Sequence, residues 1–152
     1  MEVGMSTNVA HIIDRKGGEV VTIGPAATLA KAAALLAEHN IGAVVVSRDG
    51  TTVDGILSER DIVRQFASTD GVGTGSVSVS TAMTTGVHTA TPAATIDELV
   101  QIMTTGRFRH VPIVDGGALV GIVSIGDVVK SRMDELQTEA ESLQEYVTGT
   151  SY

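Results

Sequence analysis

The alternation of apolar and polar residues divides the first half of the chain into five short elements. Residues 20–23 are rich in β-branched side chains, which predicts a strand that Pro25 ends. The apolar residues that follow have helical spacing and predict a helix; they are Leu29, Ala32, Ala33, Leu35 and Leu36. Asn40 and Gly42 end this helix, and the apolar run 43–47 predicts a strand covered on both faces. A turn at 49–50 leads to a strand at 53–57, and a second helix follows at 59–67.

The same order of strand, helix, strand, strand and helix recurs in the second half of the chain. Thr95 and Glu98 form a capping-box pattern at the start of a helix that Gly106 ends. Predicted strands at 110–114 and 119–123 form a hairpin around residues 115–117. The segment Gly-Ile-Leu-Ser-Glu-Arg-Asp at 55–61 reappears as Gly-Ile-Val-Ser-Ile-Gly-Asp at 121–127. The repeat therefore predicts an α/β protein of two pseudo-symmetric halves that pack through their sheets.

The repeats also set the predicted domain boundaries. Residues 6–68 form repeat one and residues 81–132 form repeat two. Residues 69–80 are rich in Gly, Ser, Thr and Val, which predicts a flexible linker. Residues 133–152 are predicted to form a helical extension and tail.

The final helix carries an apolar seam. Its apolar residues are three or four positions apart, as in a heptad pattern: Val129, Met133, Leu136, Ala140, Leu143 and Val147. Two interpretations are open, since the seam packs either on its own repeat or against a second chain. We favour the second, because the helix extends well past its counterpart in repeat one. The sequence therefore predicts a homodimer that uses the repeat helices and the C-terminal helix.

Composition and charge exclude several possible functions for this chain. The net charge of -8 and the aromatic content of 3% argue against nucleic-acid binding. The absence of cysteine excludes disulfides, thiolate metal sites and cysteine catalysis. No apolar run reaches the roughly 18 residues that a membrane span requires. No signal peptide is predicted either, so we expect a cytoplasmic protein with no membrane or nucleic-acid partner.

The doubled Gly-x-x-Ser-x-x-Asp motif is the main candidate for chemistry. Ser at the N-cap and Asp three residues later form a capping box, and this structural role needs no ligand. A carboxylate can also accept both hydroxyls of a ribose, and a helix N-terminus with a Ser hydroxyl favours phosphate. The recurrence of the motif at the same place in both repeats favours the ligand-binding interpretation.

The ordered set of motifs resembles a tandem pair of cystathionine β-synthase (CBS) domains, also called a Bateman module. The resemblance covers about residues 6–132. It is carried by residues 55–61, 121–127 and 109–115 and by two matching lead-ins, Thr22/Pro25/Thr28 and Thr89/Pro92/Thr95.

The resemblance implies a ligand class and a set of site residues. Members of this family usually bind AMP, ADP, ATP, S-adenosylmethionine or NAD(H) in clefts between the repeats. Each motif would supply an aspartate for the ribose hydroxyls (Asp61, Asp127), a serine for phosphate or ribose (Ser58, Ser124) and an isoleucine beside the base (Ile56, Ile122). The Asp127 cleft would borrow Thr22, Gly24, Ile41, Gly42 and Ala43 from repeat one. The Asp61 cleft would borrow Thr89, Thr91, Phe108, Arg109 and His110 from repeat two.

The two clefts are predicted to differ in charge. Arg60 stands inside the first motif where the second has Gly126. Together with Arg109 and His110, it would give the Asp61 cleft positive charge for a phosphate. The Asp127 cleft is expected to be nearly uncharged. We therefore expect a phosphorylated adenosine to prefer the Asp61 cleft.

The first repeat departs from the family pattern at two positions. Gly24 and Val45 stand where the second repeat has Thr91 and Pro112. The Asp127 cleft therefore lacks a threonine hydroxyl that the family pattern would place there.

The expected function is a regulatory module with an adenine nucleotide as its ligand and no catalytic cofactor. A protein encoded elsewhere would be the regulated partner. The alternative is a constitutive dimerisation or scaffold protein whose clefts do not function. An enzyme is not predicted, because the four histidines lack metal-ligand spacing and neither motif serine has a histidine beside it in the sequence.

Overall fold

Repeat one has the predicted order of elements. The structure is a computed structural model that describes residues 8–17 and 19–149. Helix α1 (Val9–Lys16) precedes β1 (Thr22–Ile23), α2 (Leu29–His39), β2 (Ala43–Val46), β3 (Gly55–Ser58) and α3 (Glu59–Ser68). Strand β1 pairs in parallel with β2, and β2 pairs antiparallel with β3, so the sheet order is β1-β2-β3.

Repeat two has the same plan with a reduced first strand. It comprises α4 (Val79–Ala82), α5 (Ile96–Gly106), β4 (His110–Asp115), β5 (Ala118–Ser124) and α6 (Ile125–Gly149). The strand expected before α5 is a single parallel bridge between Ala90 and Ile113. A register shift lies between Ile113 and Val114 in the β4–β5 ladder, where Val120 of β5 is left unpaired. The α/β architecture of two related units with a long C-terminal helix is confirmed.

The corresponding helices α2 and α5 end on left-handed residues. Asn40 has a φ of 53° after α2, as its position in the sequence suggested. After α5 the left-handed residue is Arg107, with a φ of 60°. Gly106 is the last helical residue, so the predicted end of this helix is confirmed, and a Cβ there would collide with the Phe108 ring. The close approach of the Phe108 ring explains why this position is a glycine.

Each repeat completes its hydrophobic core with a helix that precedes the other repeat in sequence. Val9 and Ile12 of α1 are buried in the core of repeat two. Val79 of α4 is buried in the core of repeat one. Backbone hydrogen bonds mirror this arrangement, since the Val9 amide donates to the Ala94 carbonyl at 2.9 Å and the Val79 amide to the Ala27 carbonyl at 2.8 Å.

The segment 69–80 is packed against repeat one, which corrects the prediction of a flexible linker. It contains a short 3-10 helix, Thr74–Ser76, and the start of α4. Thr74 is buried and Val79 is fully buried. The segment therefore contributes to the core of repeat one, while the boundaries of the two repeats stay a prediction.

Helix α6 divides its residues between its own repeat and the outer surface. Val128 and Ser131 are buried against repeat two. The predicted seam is exposed: Met133, Leu136 and Leu143 retain 63%, 60% and 65% of their accessible surface. Packing on its own repeat therefore does not account for the seam. Among the described residues, no helix has both the length and the apolar content that crossing a membrane requires.

The pseudo-symmetric glycines of the two motifs provide a test of this packing. Gly55→Ala is expected to lower the free energy of unfolding by about 1–3 kcal/mol, the usual cost of overpacking. The new Cβ would lie 2.7 Å from the Thr84 carbonyl oxygen and 2.8 Å from Met83 Sδ. The three atoms nearest to a Cβ at Gly121 all belong to the Ile13 side chain, and the closest is its terminal Cδ1, so Gly121→Ala is expected to cost less. Chemical denaturation measures both, and equal losses would contradict the prediction.

Candidate functional site

Two cavities lie between the repeats, one beside each motif aspartate. The Asp61 cleft has a volume of about 780 Å³. The Asp127 cleft has a volume of about 390 Å³. Both volumes fall within the range of about 300–1,000 Å³ that is typical of small-molecule sites.

The Asp61 cleft brings together residues of both repeats, as the sequence predicted. Ile56, Ser58, Arg60 and Asp61 come from β3 and the first turn of α3. Phe108, Arg109 and His110 form the opposite wall at the start of β4. This wall lies beside the Asp61 motif because the two repeats pack with their strand ends close together.

The Asp127 cleft is built in the reciprocal way. Ile122, Ser124 and Asp127 come from the end of β5 and the start of α6. The facing wall is formed by Ile41, Gly42 and Ala43 at the start of β2. These six residues were all predicted for this cleft.

The lead-in residues are the part of the predicted site that the structure does not place at either cavity. Neither cavity is lined by the four lead-in residues that were predicted, Thr22, Gly24, Thr89 and Thr91. Residues just before these positions do line the cavities: Val20 lines the Asp127 cleft, and Val87 lines the Asp61 cleft. By Thr22 the chain has joined β1, where Thr22 pairs with Val45, two residues beyond Ala43 at the cleft wall.

Both motifs form the capping arrangement at their helix starts. The Ser58 amide donates to Asp61 Oδ2 at 2.9 Å, and the Asp61 amide donates to Ser58 Oγ at 3.3 Å. The corresponding distances for Ser124 and Asp127 are 2.8 Å and 3.1 Å. The amides use Oδ2 in each case, so capping fixes the orientation of the carboxyl group at the cavity wall without using both of its oxygens.

Positive charge is concentrated around Asp61. Four arginines line this cleft together with only two carboxylates, Glu59 and Asp61; the arginines are Arg60, Arg64, Arg107 and Arg109. Arg64 is an addition to the predicted set, and its Nη1 lies 3.4 Å from Asp61 Oδ1. Its position three residues after Asp61 on α3 is the sequence signal that identifies it.

The Asp127 cleft contains a charged pair, so the expectation of a nearly uncharged cleft was wrong. Lys16 Nζ donates to Asp127 Oδ2 at 2.7 Å and to the Ile122 carbonyl oxygen at 2.7 Å. Burial by itself would raise the pKa of Asp127, but the hydrogen bonds from Lys16 and Ser124 and the Lys16 charge hold it below its ordinary value. Glu19 also lines this cleft.

The sequence contained a signal for Lys16. Val9, Ile12, Ile13 and Lys16 have the i, i+3, i+4, i+7 spacing of a single helix face. The first two are buried and Ile13 packs against the same core. A lysine at the end of such a stripe places its ammonium at the edge of the surface that the stripe covers.

His110 lies between the two clefts. It lines both cavities, as do Gly42 and Ser124. Burial lowers the pKa of His110, and the nearby charges of Lys16 and Arg109 lower it further against the opposing effects of Asp127 and Glu59. The imidazole is therefore mainly neutral near pH 7, and the positive charge of the Asp61 cleft comes from its arginines rather than from His110.

The described residues hold no group of three or more His, Cys, Asp and Glu side chains that could bind a metal ion.

Fold and clefts together define a module of two CBS domains. The family model described as CBS domain matches residues 3–68 and 78–134. The chain belongs to the CBS domain family.

The chain is similar to several proteins that are named for CBS domains. The mitochondrial CBS domain-containing protein CBSX3 of Arabidopsis thaliana is 32% identical over 95% of this chain and 73% of its own length. A crystal structure of a CBS-domain containing protein from Agrobacterium tumefaciens has a TM-score of 0.78 and 50% identity, covering 83% of this chain and 99% of that one. CBSX2, crystallised in complex with AMP, has a TM-score of 0.70 at 21% identity over 84% of this chain and 96% of that one, and so shares the fold.

The position of His110 predicts a specific dependence of stability on pH. Because its folded-state pKa lies below the ordinary value of 6.5, the unfolded chain binds a proton more readily than the folded one. Stability contributed by neutral His110 is therefore present at pH 7.5 and lost as the pH falls through about 6.5. His110→Gln is expected to lose less stability than the wild type between pH 7.5 and 5.5. Denaturation at the two pH values measures this, and an unchanged pH dependence would contradict the prediction.

Proposed function

We propose that this chain is a regulatory module that binds an adenine nucleotide between its two CBS repeats, with the Asp61 cleft as the main site. The role is regulatory rather than catalytic. The cytoplasmic location inferred from the sequence stays a prediction.

The observation that carries the proposal is the setting of Asp61. The residue is only 6% exposed, yet it borders a cavity of about 780 Å³ that four arginines line. A buried carboxylate with a fixed orientation is suited to accept the two hydroxyls of a ribose. Arginines around it suit a phosphate, because guanidinium groups pair with phosphate oxygens through two parallel hydrogen bonds.

The lining of the Asp61 cleft also favours one ligand class. Apolar side chains are available beside the base, namely Ile56, Val63, Val87 and Phe108. The excess of arginines favours AMP, ADP or ATP over S-adenosylmethionine, whose sulfonium is positively charged. NAD(H) also carries phosphates and is retained as a candidate. AMP bound to CBSX2 is consistent with this class.

Regulation follows from the position of the ligand. A nucleotide in the Asp61 cleft contacts β3 and α3 of repeat one and the start of β4 in repeat two at once. Its binding energy therefore favours the relative position of the repeats in which both walls fit. A partner protein that recognises this arrangement would respond to the nucleotide.

Asp61→Asn is expected to weaken nucleotide affinity by about 10- to 100-fold. The reason is the loss of a charged hydrogen-bond acceptor, worth about 1.5–3 kcal/mol, at about 1.4 kcal/mol for each factor of ten. Isothermal titration calorimetry with AMP and ATP measures the change. Asp70→Asn, on an exposed turn, is the matched control and should bind as the wild type does.

A ligand comparison tests the same contact without changing the protein. 2′-Deoxy-AMP should bind more weakly than AMP to the wild type, and the difference should shrink in Asp61→Asn. Equal binding of the two nucleotides by the wild type would contradict the ribose role of Asp61.

We propose that a second copy of the chain covers the seam of α6. The specific observation is that heptad-spaced apolar residues, among them Met133, Leu136 and Leu143, are mostly exposed on a helix that extends to Gly149. Apolar residues at this spacing are typical of helices that pair with another helix. The repeat helices would add to this contact.

Leu136→Asp combined with Leu143→Asp is expected to convert the dimer to a monomer, because two charges would enter the apolar contact. Sedimentation velocity measures the change. The control adds the same charge on the same helix outside the seam, with Gln137→Asp and Thr138→Asp, and should remain dimeric. An unchanged profile for the seam variant would exclude this interface.

The scaffold function is the second candidate, and the capping geometry of Ser58 and Ser124 supports it because both motifs are structurally useful without ligand. A dimer that binds none of the candidate nucleotides would favour it.

A further inference from the structure

The two clefts are related by the repeat, but the helix beside each one ends differently. Helix α1 runs along repeat two with the Ile13 side chain against Gly121, and it continues to Lys16. Helix α4 occupies the equivalent place on repeat one but ends at Ala82, and Met83, the residue after it, lies against Gly55. Helix α1 therefore places an additional residue, Lys16, at its cleft, and α4 has no equivalent residue.

The two equivalent carbonyl groups show the consequence. The Ile56 carbonyl oxygen, at the Asp61 cleft, accepts a hydrogen bond from the Thr84 backbone amide at 2.8 Å. The Ile122 carbonyl oxygen, at the Asp127 cleft, accepts one from Lys16 Nζ at 2.7 Å. Where repeat one has extended backbone beside its motif, repeat two has an ammonium group.

The same ammonium is bound to the carboxylate. Lys16 Nζ lies 2.7 Å from Asp127 Oδ2, with side-chain exposures of 38% for Lys16 and 24% for Asp127. At the Asp61 cleft the nearest cation is Arg64, at 3.4 Å, and its side chain is 68% exposed. Arg64 can therefore swing into solvent, whereas Lys16 is placed by a helix whose other end is anchored in the core by Val9 and Ile12.

The end of α1 is held less firmly than its beginning. Beyond Ile13, which packs against the core of repeat two, the helix is fastened by two polar contacts, Lys16 with Asp127 and Arg15 with Asp134, and the Arg15 side chain is 52% exposed. The helix stops at Gly17, which has a φ of 80° and open space where a Cβ would lie. The residues after Ile13 can therefore separate from the cleft while the buried part of the helix stays in place.

We propose that Lys16 is an intrachain occupant of the Asp127 cleft, which binds an adenine nucleotide only when Lys16 is displaced. The inference rests on the proposed function, because it concerns the same ligand class in the second cleft. Lys16 neutralises the carboxylate that would accept the ribose hydroxyls by bonding its Oδ2 atom, and it occupies space that a ligand would need. A site that is open for only a small fraction of the time has its apparent affinity reduced by that fraction. The chain therefore has one nucleotide site of full affinity, at Asp61, and a second that α1 controls.

Calorimetric titration of nucleotide-stripped protein with AMP and with ATP tests the proposal. The wild type is expected to bind one nucleotide per chain, with any second site at least about tenfold weaker, as expected for a cleft open no more than about a tenth of the time. Lys16→Met keeps an unbranched side chain that is one atom shorter and removes its charge, and it is expected to bind two. The double variant Lys16→Met with Asp61→Asn should retain one strong site, which places the gained site at Asp127. Lys31→Met, an exposed lysine on α2, is the matched control and should bind one.

The remaining outcomes separate this inference from the proposed function. Absence of binding by both the wild type and Lys16→Met would overturn the proposed function itself. Two equal sites in the wild type, or one site in Lys16→Met, would overturn the role of Lys16 and leave the Asp61 site intact. Loss of a site in Lys16→Met would show that Lys16 contacts the ligand, which also overturns the proposal. Lys16→Arg keeps a positive charge at this position and should bind one nucleotide, as the wild type does. Two equal sites in this variant would contradict the idea that the charge of Lys16 blocks the cleft.

Discussion

The structure depends on the crossed packing of two helices, each of which lies on the repeat that it does not precede. The Val9 amide reaches the Ala94 carbonyl of repeat two, and the Val79 amide reaches the Ala27 carbonyl of repeat one. Neither core is complete without the crossed helix, since Val9 and Val79 are fully buried in the two clusters. The two repeats are therefore tied together by their own cores, and the clefts between them have walls whose relative position is set by buried contacts.

This crossing also makes the two clefts unequal. A helix placed on the opposite repeat lies beside that repeat's motif, so its length decides what reaches the cleft. Helix α4 ends early and leaves backbone beside Ile56, whereas α1 continues and places Lys16 on Asp127 and Ile122. Pseudo-symmetry in the fold thus coexists with different electrostatics in the two cavities. Arginines dominate one cleft, and an internal ion pair occupies the other.

The motif residues serve the fold and the site together. Ser58 and Asp61 cap α3, and Ser124 and Asp127 make the same contacts at the start of α6. Capping holds each carboxylate in one orientation, and a fixed acceptor would suit the ribose contact that we propose. His110, which lines both cavities, stays mainly neutral near pH 7 because it is buried among positive groups. Charge recognition is therefore left to the arginines around it.

The sequence alone determined most elements within each repeat, the repeat itself and the two motif aspartates with the strand residues facing them. These features are encoded locally, in the periodicity of apolar residues and in the doubled Gly-x-x-Ser-x-x-Asp segment. Local patterns did not reveal the packing of 69–80, the left-handed Arg107 or the approach of the lead-ins at Val20 and Val87. Only the tertiary structure brought Lys16 to Asp127, across more than a hundred residues of chain. The physical reason is that the apolar stripe of a helix shows which of its own residues become buried. Which surface the helix packs against depends on how the whole chain folds.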